Sequence, residues 1–494
     1  MAIIHGNETW EAGFGVTDNT TQEPVTPHTL FYTGSTTKSF AAALASKLVY
    51  SRDNEDAHKD IEWSTPLRDI IGEDFLLQDS YATSHISLED ALSHRTGLPR
   101  HDMSWINGDA NVKGMVRRMR YLPFHNEIRT TYEYCNLMFA AVAHAIETAT
   151  GEMFDHLLHV WIFEPLGMHE SVYSIPDAQA MAADPSNEAN LARGHLYDQV
   201  TGEYVQPAWD SIPPGIGAGG VISTVHDYLK WIRVFLHPGE HSATIFKAAI
   251  DDMTFPHIPV SKDSPPFKGA MTYGLGLELA TYRNYNVVLH DGALAGYMCG
   301  MLWLPEREWG VVAMHNSYNF THNVLIWHLL DNFLETPEAE RIDFVGWTQD
   351  LLAKLAKRTN TARERLYPDA PKTGEEVVAP SLDLEAYEGL YQHPGYHNLT
   401  ISVPARTEAD PEASVTLDIA GAARSYLDLS GRMDHVNADN WMFRCSMGPH
   451  QPFDDMGKIQ FVVGKGDEVL GMRFQAEPAI DGEKGMAWFE KIAR

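Results

Sequence analysis

A chain of 494 residues, at roughly 100 to 200 residues per domain, holds two to four structural units, and its 44% apolar and 11% aromatic content excludes disorder of the whole. Its 37 basic against 67 acidic residues give a formal charge of −30 with no Lys/Arg cluster to relieve it, so nucleic acid and anionic membrane are repelled as partners. Three scattered cysteines, Cys135, Cys299 and Cys445, are too few for a disulfide framework or a four-thiolate metal site, and read as buried or incidental thiols. No apolar run nears the ~20 residues of a membrane helix, and the start lacks a secretory signal pattern. The expectation is a cytoplasmic protein without a membrane span.

Residues 2–16 mix strand formers with glycine turns, predicting a hairpin around His5-Gly6-Asn7. From Ser35 onward Phe40, Leu44 and Leu48 recur every fourth residue among alanines, which predicts a helix ending near Tyr50. Residues 51–215 carry mostly helical patterns, including Asn136 to Thr150 closed by Gly151, and are read as a helical lobe. A glycine-rich turn at Gly215 to Gly220 precedes a helix capped at Thr224 and carrying Leu229, Ile232 and Phe235 on one face. Strands are predicted at Tyr285 to His290, Cys299 to Leu304 and Gly310 to His315, then a helix at Phe344 to Arg365. A Pro- and acid-rich stretch follows as a linker. The last part shows short strand patterns at Leu399 to Val403, Val415 to Ile419, Tyr426 to Leu429, Trp441 to Cys445, Ile459 to Val463 and Met486 to Phe489, which predict a small antiparallel barrel or sandwich. The expected division is 1–340, 341–380 and 381–494.

Three motifs have the residue types of acyl-transfer chemistry. Ser35-Thr36-Thr37-Lys38 stands at a helix start, where spacing of three puts hydroxyl and amine on one face and the helix end supplies free N–H groups. An amine with a pKa lowered by burial can take the serine proton, and the Ser35 N–H can bind the oxyanion. Tyr134-Cys135-Asn136 enters the next helix with a phenolate and a carboxamide aimed one way. His290-Asp291-Gly292 ends an apolar strand, read as an edge flanking a pocket, with Gly292 permitting close backbone approach. Taken singly, each is commoner as a helix cap, a core tyrosine or a structural histidine than as catalytic machinery.

In this order, however, they resemble the S-x-x-K, Y-x-N and K-T-G or H-x-G pattern of the serine β-lactamase and penicillin-binding-protein superfamily. The likeness is to its branch of class C β-lactamases, D-aminopeptidases and related esterases. Leu92 to Pro99, Ile162 to Met168 and Gly217 to Thr224 are similar to further signatures of that branch, so the resemblance spans about residues 2–335. It implies an α+β fold: an antiparallel sheet flanked by helices with a helical lobe, followed by a small all-β barrel. It also implies that Ser35 is acylated, Lys38 and Tyr134 manage its proton, Asn136 orients the substrate, and His290 stands where the family has lysine. The oxyanion hole would be the N–H groups of Ser35 and Ala293, with Asp291 and Gly292 beside the substrate. A literal Lys372-Thr373-Gly374 lies in the linker without a strand pattern and is set aside.

The chain departs from that pattern in two ways. Family members carry a helix before the first strand, which leaves open whether Met1 is the natural start. A histidine in the lysine's place removes a permanent cation, favouring esters or amides over β-lactams. Leu384 to Tyr391 is similar to the start of the lipocalin-like barrel appended to some members. The expected activity is that of a serine hydrolase or acyltransferase on a small-molecule ester, thioester or amide, needing no metal or cofactor. A dedicated transacylase, a D-aminopeptidase or β-lactamase, and an inactive scaffold are the alternatives; a homo-oligomer is left open.

Overall fold

The N-terminal hairpin forms as its turn residues dictate: β1 (Ala2–His5) and β2 (Glu8–Glu11) pair antiparallel around Gly6, whose φ of +56° suits glycine. The computed structural model describes the chain except residues 51–59, 107–110, 198–201, 208–215, 242–243, 262–266, 268, 295, 373–374, 405–414, 422–428, 448–451 and 494. Six later strands complete the sheet: β3 (Ile258–Ser261), β4 (Met271–Tyr273), β5 (Glu278–Tyr282), β6 (Tyr285–Leu294), β7 (Tyr297–Leu304) and β8 (Trp309–His315). Their order is β2-β1-β8-β7-β6-β5-β4-β3, antiparallel throughout. The first strand thus lies beside the last, with Ala2 opposite Val312. Strand β6 is internal, which corrects the expectation that His290 lies on an edge. The strands from Ile258 to Tyr282 carry no sequence prediction above.

Both faces of the sheet are buried, and strand alternation divides the side chains between them. Val288, Met301 and Val312 join the core built on α1 (Thr37–Tyr50), α2 (Asn136–Thr150) and α3 (Val225–Leu236). Leu289, Leu302 and Val311 face α4 (Thr321–Phe333) and Phe344 at the start of α5 (Phe344–Asn360). Phe40 of α1 stacks on Trp231 of α3 at 4.2 Å, so the helix that follows Ser35 is anchored by a large apolar contact. In the helical lobe α2 is buried from Asn136 to Ile146 and ends on Gly151 at φ +74°, whose N–H donates to the Glu147 carbonyl at 2.8 Å.

The C-terminal part is a closed antiparallel barrel of β9 (Gly389–His393), β10 (His397–Ser402), β11 (Thr416–Gly421), β12 (Leu429–Asn437), β13 (Asn440–Met447), β14 (Pro452–Val463), β15 (Val469–Gln475) and β16 (Met486–Ala493). β9 and β15 escaped the sequence reading, and Tyr426 lies outside the described residues, as do Thr373 and Gly374. The described linker lies against the barrel: the Tyr367 hydroxyl donates to the Trp441 carbonyl at 2.5 Å, and the Val378 N–H donates to Asn437 Oδ1 at 2.9 Å. Barrel side chains such as Tyr391, Leu399 and Phe489 continue the same buried cluster as Phe40 and Leu137. Among the described residues no helix is long and apolar enough to cross a membrane.

Candidate active site

Ser35 sits in the 3-10 turn Gly34–Thr36, which runs directly into α1. The turn is fixed from behind: Thr36 Oγ1 donates to the Thr33 carbonyl at 2.9 Å and so accepts from the Tyr228 hydroxyl of α3 at 2.7 Å. Thr33 gives both its N–H and its hydroxyl to the Val221 carbonyl, at 3.0 and 2.9 Å. The hydroxyl of Ser35 is thereby held at the N-terminal end of a buried helix, where free N–H groups favour negative charge.

Two groups meet the Ser35 oxygen. Lys38 Nζ lies 3.1 Å away, one turn along the helix, and the Tyr134 hydroxyl donates to it at 2.7 Å. Lys38 is fully buried, and its other contacts are two oxygens that only accept, Asn136 Oδ1 at 2.8 Å and the Ala218 carbonyl at 2.9 Å. Burial above all, and then the charge of Arg100, push the Lys38 ammonium well below a lysine's ordinary range. A neutral amine has two N–H groups for those two oxygens and one lone pair left for the serine hydroxyl. The contact set therefore suits a base poised to take the Ser35 proton. Tyr134 is different: burial pushes its phenol above the usual value, so the resting side chain is a neutral donor and not the phenolate of the sequence reading.

The glycine-rich stretch supplies the Ala218 carbonyl. Gly217 takes φ +67°, and a Cβ on Gly220 would stand 2.4 Å from the Tyr173 ring, so side chains are excluded where the backbone must approach the lysine. Asn136 is engaged at both ends, its Oδ1 by Lys38 and its Nδ2 donating to Asp102 Oδ1 at 3.1 Å, which fixes the orientation of the amide. Asp102 also accepts from Trp105 Nε1 at 2.7 Å and from Arg100 Nε at 2.6 Å, and the Arg100 guanidinium lies over the Tyr134 ring at 4.8 Å.

Strand β6 closes the group from the other side. A Cβ on Gly34 would come within 2.6 Å of the Ala293 nitrogen, so the backbones of the serine turn and of Gly292-Ala293 are in contact. His290 points to the same face, its Nε2 2.9 Å from the Tyr273 hydroxyl and its Nδ1 2.6 Å from the Asp291 carbonyl. Because that carbonyl only accepts, Nδ1 carries the proton and Nε2 accepts from Tyr273. Burial, with Lys38 nearby, pushes the His290 imidazole down to about 4. Asp291 is not brought to this group. As the next residue on the strand it faces away, accepting from Asn323 Nδ2 of α4 at 2.9 Å and lying 3.6 Å from His322. Its expected contact with substrate is corrected by strand alternation.

Sequence reasoning missed several groups here. Tyr273 comes from the three-residue strand β4, and Glu278 opens β5 opposite it; burial, with the Asp291 charge, pushes the Glu278 carboxyl up to about 8. His94 accepts the Cys135 N–H at Nδ1, 3.0 Å away, with its ring 4.2 Å from that of Tyr134. Its place in Leu92 to Pro99 was the available signal.

A family model described as Beta-lactamase matches residues 1–331, and one described as a domain of unknown function, DUF3471, matches residues 374–491. The unguisins hydrolase of Aspergillus violaceofuscus is 35% identical over 429 residues, 82% of this chain and 73% of that protein. A D-aminopeptidase of Brucella anthropi is 23% identical over 343 residues, 67% of this chain and 57% of that one. The octameric penicillin-binding protein homologue from Pyrococcus abyssi superposes with a TM-score of 0.60 at 18% identity, covering 99% of this chain and 95% of that chain. A class C beta-lactamase superposes with a TM-score of 0.52 at 19% identity, covering 66% and 88%. At such identities the solved structures speak for the fold, a β-lactamase-like domain followed in the Pyrococcus protein by enough chain to match the barrel. The family match and the curated relatives go further, and on them the chain belongs to the beta-lactamase family of serine hydrolases.

Proposed function

We propose that this protein hydrolyses a small-molecule ester, thioester or amide through an acyl-enzyme on Ser35. The observation that carries the reading is the position of Ser35 Oγ between a buried lysine, 3.1 Å away, and a neutral tyrosine hydroxyl, 2.7 Å away. In the first step the Ser35 oxygen bonds to the substrate carbonyl carbon, its proton passes to Lys38 Nζ, and the carbonyl electron pair moves onto oxygen. The Ser35 and Ala293 N–H groups receive that oxyanion. Collapse breaks the bond to the leaving alcohol, thiol or amine, which takes a proton from the Lys38–Tyr134 pair, and water repeats the sequence to release the acid. His290 holds Tyr273 beside the site and Asn136 offers its amide to the substrate. The relative named D-aminopeptidase favours amides among these substrates. The barrel, with the expected boundary at 381, is proposed as a second domain.

Intact-mass measurement after exposure to panels of esters, D-aminoacyl amides and β-lactams tests this. An acyl adduct on Ser35, absent in Ser35→Ala, is expected, with turnover in that variant down by several orders of magnitude and the fold retained. Near wild-type turnover by Ser35→Ala overturns the assignment. A protein that no acyl donor or fluorophosphonate labels is an inactive scaffold of the fold. Adding methanol or an amine as acceptor separates transfer from hydrolysis: acyl transfer in preference to release of the acid identifies a transacylase.

A further inference from the structure

The barrel touches the catalytic part at a place with consequences for the site. His101 is completely buried, yet it lies in the left-handed region at φ +46°, which a residue with a Cβ adopts only when its neighbours hold it there. Two of those neighbours are in the barrel and one is in the helical lobe. The His101 N–H donates to Glu477 Oε2 at 2.6 Å, across 376 residues of sequence, and the His101 ring meets the Tyr396 hydroxyl through Nδ1 at 2.6 Å. The other ring nitrogen, Nε2, lies 2.9 Å from the Pro123 carbonyl, which only accepts, so Nε2 carries the proton and Nδ1 accepts from Tyr396. Burial pushes the His101 imidazole down to about 4, which keeps that tautomer neutral. Glu477, itself buried, also accepts the Ala479 N–H at 2.9 Å and is built into its own loop. The β9–β10 turn is seated beside it: a Cβ on Gly395 would stand 2.8 Å from Leu122 of the helical lobe.

The residues on either side of His101 are those that touch the catalytic groups. Arg100 lies over the Tyr134 ring, and Asp102 holds the Asn136 amide whose oxygen receives Lys38. A displacement of His101 is passed one residue each way to Tyr134 and Asn136. We propose that Tyr396 and Glu477 of the barrel are positioning residues for acylation at Ser35, acting through buried His101 and its neighbours Arg100 and Asp102. This rests on the reading of Ser35 as the nucleophile, and it gives the barrel a share in the rate of the reaction.

Tyr396→Phe tests it with the loss of a single oxygen, leaving the ring packed on Phe489 and His393. Glu477→Gln and Asp102→Asn are companions. The readout is the pre-steady-state acylation rate on a p-nitrophenyl ester across pH, with thermal unfolding in parallel. Acylation is expected to slow by roughly tenfold or more, since small misplacements of reacting groups cost about that. The acid limb of the profile is also expected to move to higher pH in Tyr396→Phe and Glu477→Gln, whereas Asp102→Asn, which removes a charge that raises the Lys38 pKa, is read by its acylation rate alone. The groups facing Lys38 are Arg100, Asp102, Tyr134, Asn136, Cys135, His94 and His290, and of the charged ones Arg100 depresses the lysine more than Asp102 restores it, so loosening the segment lets the Lys38 pKa rise. A contact serving only to dock the barrel lowers the melting temperature and leaves the acid limb in place. Tyr396→Phe and Asp102→Asn are expected to be non-additive, since they break one chain of contacts. Wild-type acylation rate and acid limb in Tyr396→Phe overturn the inference, whether or not Glu477→Gln folds. Labelling of Ser35→Ala at the wild-type rate sinks the underlying reading instead, which keeps the two failures apart.

Discussion

Gly292 and Thr33 touch through their backbones: a Cβ on Gly292 would stand 1.9 Å from the Thr33 carbonyl oxygen and 3.0 Å from the Ser35 nitrogen. No side chain fits unless strand β6 moves off the serine turn, and that movement parts the two N–H groups assigned to the oxyanion. Gly292→Ala is expected to slow fluorophosphonate labelling of Ser35 by about 100-fold or more, the scale of losing an oxyanion donor. Labelling at the wild-type rate in a folded variant would show that the contact is not needed.

The pH profile has a defined sign. Lys38 serves as base only when neutral, so acylation falls as pH drops through its lowered pKa and is flat above it. The same shift makes stability depend on pH: between the folded-state pKa and the ordinary lysine value near 10.5, the unfolded chain binds a proton that the folded chain does not. Stability from this group therefore rises with pH across that window and is lowest below it. His290, at about 4, stays neutral between roughly pH 5 and 8, so His290→Gln should lower the rate and leave the acid limb where it was. Movement of that limb in the His290 variant would assign the titration to the histidine.

A neutral His290 presents no fixed cation where the family's lysine would stand. Activated esters such as p-nitrophenyl acetate are expected to be turned over with higher kcat/KM than chromogenic cephalosporins, whose carboxylate finds less positive charge there. A large margin in favour of the cephalosporin would reverse this.

Asp291 faces α4, so Asp291→Asn is expected to change kcat/KM by less than about threefold. Its cost should appear in thermal stability, through the lost contacts with Asn323 and His322. A KM raised tenfold with unchanged stability would return the residue to the substrate side.

The residues that the motifs nominate are drawn from positions 35 to 293, and Ser35, Lys38, Tyr134, Asn136 and His290 do converge. Each rests on a local pattern, a helix start or a strand end, that sequence displays directly. Asp291 went astray because period-two alternation was not carried one residue past His290. Tyr273 was hidden for another reason: β4 is three residues long and ends at Gly274, too short for any periodicity to register. The chain from Asn136 through Asp102 and His101 to Tyr396 and Glu477 is set by tertiary packing between distant segments, and no local pattern announces such contacts. The barrel was visible as evenly spaced short strands, although two of them, β9 and β15, were passed over despite the turn residues Pro394-Gly395 and Gly464 to Asp467 beside them.

The closed barrel also bears on the order of folding. Its first strand pairs with its last, Leu390 opposite Ala493, so the ring cannot be completed until the most distant pairing within it is made. Closures of that kind are slow, because chain entropy is lost before the contacts that repay it exist. Tyr396 and Glu477 sit on separate turns of that ring and should reach His101 together, as one late event, and not piecemeal. During refolding, fast acylation of Ser35 is then expected to lag behind burial of the tryptophans beneath the sheet and to coincide with amide protection of β9 and β16. Full acylation rates before that protection develops would separate the two processes.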